Sequence, residues 1–233
     1  MPHARLPALC CLSALAWSIP AAGQNVNNEF WPELGIYVQQ GDVIRLEFID
    51  SPRFNWTTDD WRGYFDLFVA AALKPVFRRE LRDNPDVYRN RYLTFRAGYR
   101  RRTGLSNGDS TSENRAIIEI TPRYLLPWQF VLIDRNRGEF RWVKGQDFSE
   151  RYRNRLWLER DLSRGWLHVT PFVYDEIFYD ARLHRWTPNR YAFGFALPVH
   201  QRVVLEPYYL RQNGGSSKPP HLNAVGFKCN LYF

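Results

Sequence analysis

The chain has 233 residues, 32 of them lysine or arginine against 24 aspartate or glutamate, a formal net charge of +8 and 16% aromatic residues. That apolar and aromatic content excludes a disordered polyelectrolyte, and the basic residues recur along the whole chain instead of forming a tract, which argues against nucleic acid as partner. The three cysteines, Cys10, Cys11 and Cys229, exclude a disulfide scaffold.

Residues 1–23 open with the basic Arg5, continue through the apolar run LPALCCLSALAWSI and close on PAAG. This is the pattern of a secretory signal cleaved before Gln24, and residues 24–233 are expected to form one domain. Losing Arg5 leaves 31 basic and 24 acidic residues, a net charge of +7, and only Lys74, Lys144, Lys218 and Lys228 among the basic ones are lysine. Arginine is the cation suited to fixed, bidentate pairing with carboxylates in partly dehydrated places, so much of this charge is expected inside the fold.

Beyond residue 23 no apolar stretch reaches 18 residues, and the longest candidate, FDLFVAAALKPVF, is broken by Lys74 and Pro75, so no membrane-crossing helix is expected. The chain instead divides into segments of period-two alternation separated by Gly, Pro, Asn, Asp and Ser clusters. Strands are predicted at 29–39, 42–52, 62–73, 88–102, 114–126, 129–143, 150–161, 165–178, 188–198, 201–212 and 221–233. In the fifth of these, Arg115, Ile117, Glu119, Thr121 and Arg123 share one face, and Ala116, Ile118, Ile120 and Tyr124 the other. In the seventh, Arg151, Arg153, Arg155, Trp157 and Glu159 oppose Tyr152, Leu156 and Leu158. The last strand, LNAVGFKCNLYF, sets Val225, Phe227, Cys229, Leu231 and Phe233 against Ala224, Gly226, Lys228, Asn230 and Tyr232.

A soluble sandwich or barrel with its charges in water accounts for such alternation. A closed antiparallel transmembrane β-barrel of the outer-membrane kind, all-β, accounts also for the loop rhythm. Long connections (QNGGSSKPPH, DARLHRWTPN, RRTGLSNGDSTSEN) alternate with tight ones (VHQR, DLSRG, LLPW). Barrel closure would pair the last strand with the first, and Trp128, Trp142, Tyr152, Trp166, Tyr179, Trp186, Tyr208 and Tyr232 would supply interfacial girdles.

The phrases EFWPELGIYV, YLTFRAGYR, DRNRGEFRW, RYRNRLWLER, DEIFYD, PNRYAFG and LEPYYLRQN, in this order, resemble the proteobacterial family named domain of unknown function 2490. The resemblance implies an outer-membrane β-barrel and no defined activity. The alternating C-terminal strand with Phe227, Leu231 and the final Phe233 also resembles the signal read by the bacterial barrel-assembly machinery. Outer-membrane lipid, periplasmic chaperones and that machinery are therefore the expected partners, together with small acidic solutes. No cofactor or metal is expected, and oligomeric state is not read from the sequence.

Eleven segments conflict with the even strand number of single-chain bacterial barrels, so twelve strands are expected, with an extra one near 75–81; ten is the alternative. Strict alternation also points Asp134, Asn136 and Asn154 toward lipid, a misfit to this scheme. Inside, Arg135, Arg137, Glu139 and Arg141 would face Arg151, Arg153, Arg155 and Glu159, with Arg115, Glu119, Glu176 and Glu206 within reach from other strands. Mixed signs read first as a structural ladder. The excess of arginine leaves a positive field, which points to a passive, anion-preferring diffusion channel. A closed structural or loop-binding barrel is the alternative. A lipid hydrolase is less favoured, because His168, His184, His200 and His221 have no serine two residues away; His168 with Thr170 comes nearest, facing inward.

Overall fold

Alternation is realised along most of the wall of the computed structural model, which describes residues 26–73, 85–105, 111–165, 167–214 and 221–233. The strands are β1 (Val26–Gln40), β2 (Ile44–Asp50), β3 (Arg53–Asn55), β4 (Asp60–Ala72), β5 (Leu93–Gly104), β6 (Ser112–Leu125) and β7 (Phe130–Val143). They continue as β8 (Ser149–Arg160), β9 (Leu162–Arg164), β10 (Leu167–Asp180), β11 (Arg185–His200), β12 (Val203–Gln212) and β13 (His221–Tyr232). Eleven of them close into a barrel in the order β1, β2, β4, β5, β6, β7, β8, β10, β11, β12, β13 and back to β1; β3 extends the line of β2 between β1 and β4, and β9 pairs with the start of β10. The eleven predicted segments fall on these eleven wall strands, with ends displaced by a few residues.

The strand count corrects the expectation of twelve, and equally the alternative of ten. Parity forced an even number only while every neighbour was taken as antiparallel. Here β1 and β13 run parallel over twelve paired positions, from Val26 against His221 to Tyr37 against Tyr232, and one parallel seam closes an odd count. Beyond the paired positions, Phe233 N–H donates to Tyr37 O and Gln39 N–H to Phe233 O, each at 2.8 Å. β4 and β5 pair directly from Arg62 against Gly104 to Ala72 against Thr94, so no strand stands between them in the wall. The proposed extra strand at 75–81 lies outside the described residues, as do the signal segment and Trp166.

Loop rhythm holds in part. DARLHRWTPN is mostly strand, leaving 181–184 as the turn, while the long connection 73–92 emerges at the same end as the tight turns 41–43 and 201–202. Within it Val87–Asn90 forms a 3-10 turn where the sequence reading began a strand; Asp86 caps the turn by accepting from Tyr88 N–H at 3.0 Å.

The outward face is an apolar belt that includes Phe65, Val69, Ile118, Leu156, Val173, Phe193, Val225 and Phe227, all exposed. Trp61, Trp128, Trp142 and Trp186 are exposed near strand ends. Tyr208 and Tyr232 are not girdle residues: both line the interior cavity. Tyr208 lies across Gly226, where a Cβ would come within 2.0 Å of the ring, so β13 needs glycine at that position. The outward polar residues answer one another. Asn154 Nδ2 donates to Asp134 at 2.6 Å and to Asn136 at 3.1 Å, and Tyr152 Oη donates to Asn136 at 2.5 Å. Phe227 and Phe233 are exposed and Leu231 half-buried.

Candidate functional site: an arginine-rich lumen

The inward faces carry charge because the opposite faces carry the apolar belt. All nine residues singled out for the interior, Arg115, Glu119, Arg137, Glu139, Arg141, Arg153, Arg155, Glu159 and Glu176, are buried or half-buried inside the barrel. Register places Arg135 opposite Arg155, Arg137 opposite Arg153 and Glu139 opposite Arg151. Two of these rungs are like-charged, and carboxylates of β6, β7 and β10 compensate them. Glu119 accepts from Arg137 at 2.7 Å, and Glu139 accepts from Arg153 at 2.8 Å and Arg151 at 2.5 Å. Glu113 accepts from Arg115 at 2.8 Å and Arg141 at 2.6 Å. Eight of the nine join this one network; Glu159 instead pairs with Arg89 of the 3-10 turn at 2.9 Å and accepts from Trp157 Nε1. Glu206 stands apart as well, 3.5 Å from Lys228.

Carboxylates in this network are shared beyond neutrality. Glu176 meets Arg135, Arg153 at 2.8 Å, Arg155 at 3.2 Å and Arg190 at 3.6 Å. Glu139 likewise meets four guanidiniums, those of Arg115, Arg137, Arg151 and Arg153. Two lumen arginines form no ion pair among the described residues. Arg123 donates only to neutral oxygens of Arg91, Thr94 and Thr121. Arg53 lies on the faces of Trp31 and Tyr64, with its guanidinium carbon 3.7 and 4.3 Å from the ring centroids, and its buried Nε lacks a hydrogen-bond acceptor.

Two cavities lie within this packing among the described residues. One, of about 310 Å³, is lined by twelve basic and seven acidic side chains, with Trp157, Tyr174, Tyr208 and Tyr232 adding aromatic wall. The other, of about 260 Å³, is lined by seven arginines and a single glutamate, Glu29. Trp31, Arg53, Arg100, Arg153 and Arg190 border both and form the neck between them.

The 3-10 turn closes over the larger cavity at the end where β13 finishes. Tyr88 is buried and its hydroxyl donates to Val43 O at 2.5 Å and Ala70 O at 3.1 Å, while Arg45 covers its ring at 3.9 Å. Burial opposes the negative charge on Asp86, but the Arg45 guanidinium 2.6 Å away outweighs it and holds the carboxyl below its ordinary value. Burial likewise opposes the charge on Arg89, and Glu159 with Asp161 more than offsets it.

Sequence reasoning missed Arg53, Arg100, Arg190, Glu113, Asp66 and the residues that hold the 3-10 turn, Arg45, Asp86 and Arg89. For Arg100 and Arg190 the signal was present, since both alternate with residues of predicted strands; Arg53 sits on a three-residue strand too short to show a period. His168 and Thr170 do not act together: Thr170 is buried and donates to Asp161 at 2.5 Å, whereas His168 Nδ1 lies 3.0 Å from Ser163 Oγ in the exposed β9–β10 hairpin.

A closed all-β barrel with an apolar outside and a cationic, ion-paired inside is thus the class of molecule that these features define. The family model described as a protein of unknown function, DUF2490, matches residues 28–223, and the chain belongs to that family. No curated protein and no solved structure matches it.

Proposed function

We propose that the protein is an outer-membrane barrel acting as a narrow, anion-preferring channel for small acidic solutes, exported by its signal segment and inserted through recognition of its C-terminal strand. The observation that carries this reading is the unequal lining of the lumen, twelve basic against seven acidic side chains around one cavity and seven against one around the next. In low-dielectric walls such an imbalance raises the local concentration of anions and excludes cations. The apolar belt and the exposed strand-end tryptophans support insertion in a membrane. No catalytic step is assigned.

A second reading, a closed barrel without conductance, is favoured by the 85–92 segment, tied to the wall through Arg45, Asp86, Arg89 and Glu159. Planar-bilayer recording of the refolded protein separates the two. Small unitary steps support the channel; a silent wild type that conducts only after Arg89→Ala would make the segment a latch; silence in both supports the closed barrel and contradicts the channel.

A further inference from the structure

Among the described residues, the neck between the cavities has more positive charge than its carboxylates neutralise. Arg100 is satisfied by Asp66, with two contacts of 2.5 Å. Arg190 draws on Glu176, and Arg153 on Glu176 and Glu139, carboxylates that four guanidiniums each share. Arg53 has no carboxylate partner among the described residues, and the rings of Trp31 and Tyr64 hold its plane in place. A guanidinium fixed in this way has little further entropy to lose on binding, and its fork of donors matches an oxyanion bidentately. From this geometry we infer that the neck is a binding site for a small phosphate-type dianion, with Arg53 as its principal ligand and Arg100, Arg153 and Arg190 as flanking donors.

Charge chooses a dianion over a monocarboxylate. Glu139 and Glu176 each serve four guanidiniums, so one added negative charge leaves the neck cationic and two bring it closer to neutrality. The cavities on either side, about 310 and 260 Å³, accept the organic part of a phosphate monoester on the scale of a monosaccharide. The wall encloses the neck on all sides, so the phosphate comes from solution and not from a lipid headgroup in the belt.

The inference rests on the lumen reading above only in requiring that solute reach the neck, and an equilibrium experiment without a membrane keeps the two apart. Calorimetric titration of the detergent-folded protein with inorganic phosphate should show saturable binding, weakened at least tenfold in Arg53→Met and unchanged in Lys144→Gln in the β7–β8 turn. Acetate should bind more weakly than phosphate. Arg53→Lys, which keeps the charge and loses the planar fork, should fall between wild type and Arg53→Met. Heat-modifiable migration of each variant establishes that it is folded. Binding that persists in folded Arg53→Met, or absence of binding in wild type, overturns the site. Conductance without phosphate binding removes the site and leaves the channel, whereas binding in a protein silent in bilayers keeps the site and removes the channel.

Discussion

Glu176 is fully buried, at 0% exposure, and faces four guanidiniums, which makes it the residue the interior can least spare. Removing one side of a buried ionic cluster strands the charges on the other and costs about 3–5 kcal/mol. Glu176→Gln is expected to lower the urea midpoint of the folded, heat-modifiable form by a corresponding amount, whereas Arg53→Met, which abandons no carboxylate, should move it much less. Equal midpoints for Glu176→Gln and wild type would contradict this ranking. Asp86 gives a pH dependence of definite sign. Its carboxyl is held below the ordinary value, so the stabilisation is complete above the unfolded value, about 4, and is lost as pH falls through the lower folded value. The amides of Arg89 and Arg91, which donate to Asp86 O and Tyr88 O, should stay protected from exchange at pH 5 to 7 and open below about 4. In Asp86→Asn that step should vanish. At this scale period two placed the nine lumen residues inward but misplaced Tyr208, Tyr232 and His168; it did not tell which carboxylate meets which arginine, because Arg96 of β5 joins Glu47 of β2 and Glu119 of β6, which only register brings together.

Among the elements, the β1–β13 seam departs most from expectation. Each strand was legible from its own alternation, yet the direction in which they meet is a property of the closed ring and of its odd count, which no single segment contains. The register sets Leu34 beside Cys229, both on outward faces, and the native thiol allows a direct test. Neighbouring Cα atoms in a strand pair fall within the span a disulfide bridges. Leu34→Cys should therefore form an intramolecular crosslink under mild oxidation, seen as a change in gel mobility reversed by reductant, while Ile36→Cys, paired with Leu231, should not. Crosslinking of Ile36→Cys in place of Leu34→Cys would place the seam in another register. The 3-10 turn was not legible for a different reason: Val87–Asn90 leads into β5 with strand-like composition, and the contacts that curl it, from Arg45, Val43 and Glu159, are all distant in sequence.

Taken as a whole molecule, the barrel inverts a soluble protein, with apolar surface outside and paired charge within, and the ledger of lumen charge does not balance. Among the described residues Arg53 and Arg123 are the lumen arginines without an ion pair, while the arginines of the network share their carboxylates. Charge changes at Arg137 or Arg153 would break ion pairs as well as alter the field, so they mix stability with selectivity. Reversing Arg53 and Arg123 changes the field and breaks no ion pair among the described residues. The most direct measurement is the reversal potential across a potassium chloride gradient, recorded for wild type and for the Arg53→Glu, Arg123→Glu double variant. The wild type should reverse on the chloride side of zero and the double variant should move toward potassium; a cation-selective wild type, or a reversal potential indifferent to both substitutions, would contradict an anion-preferring lumen.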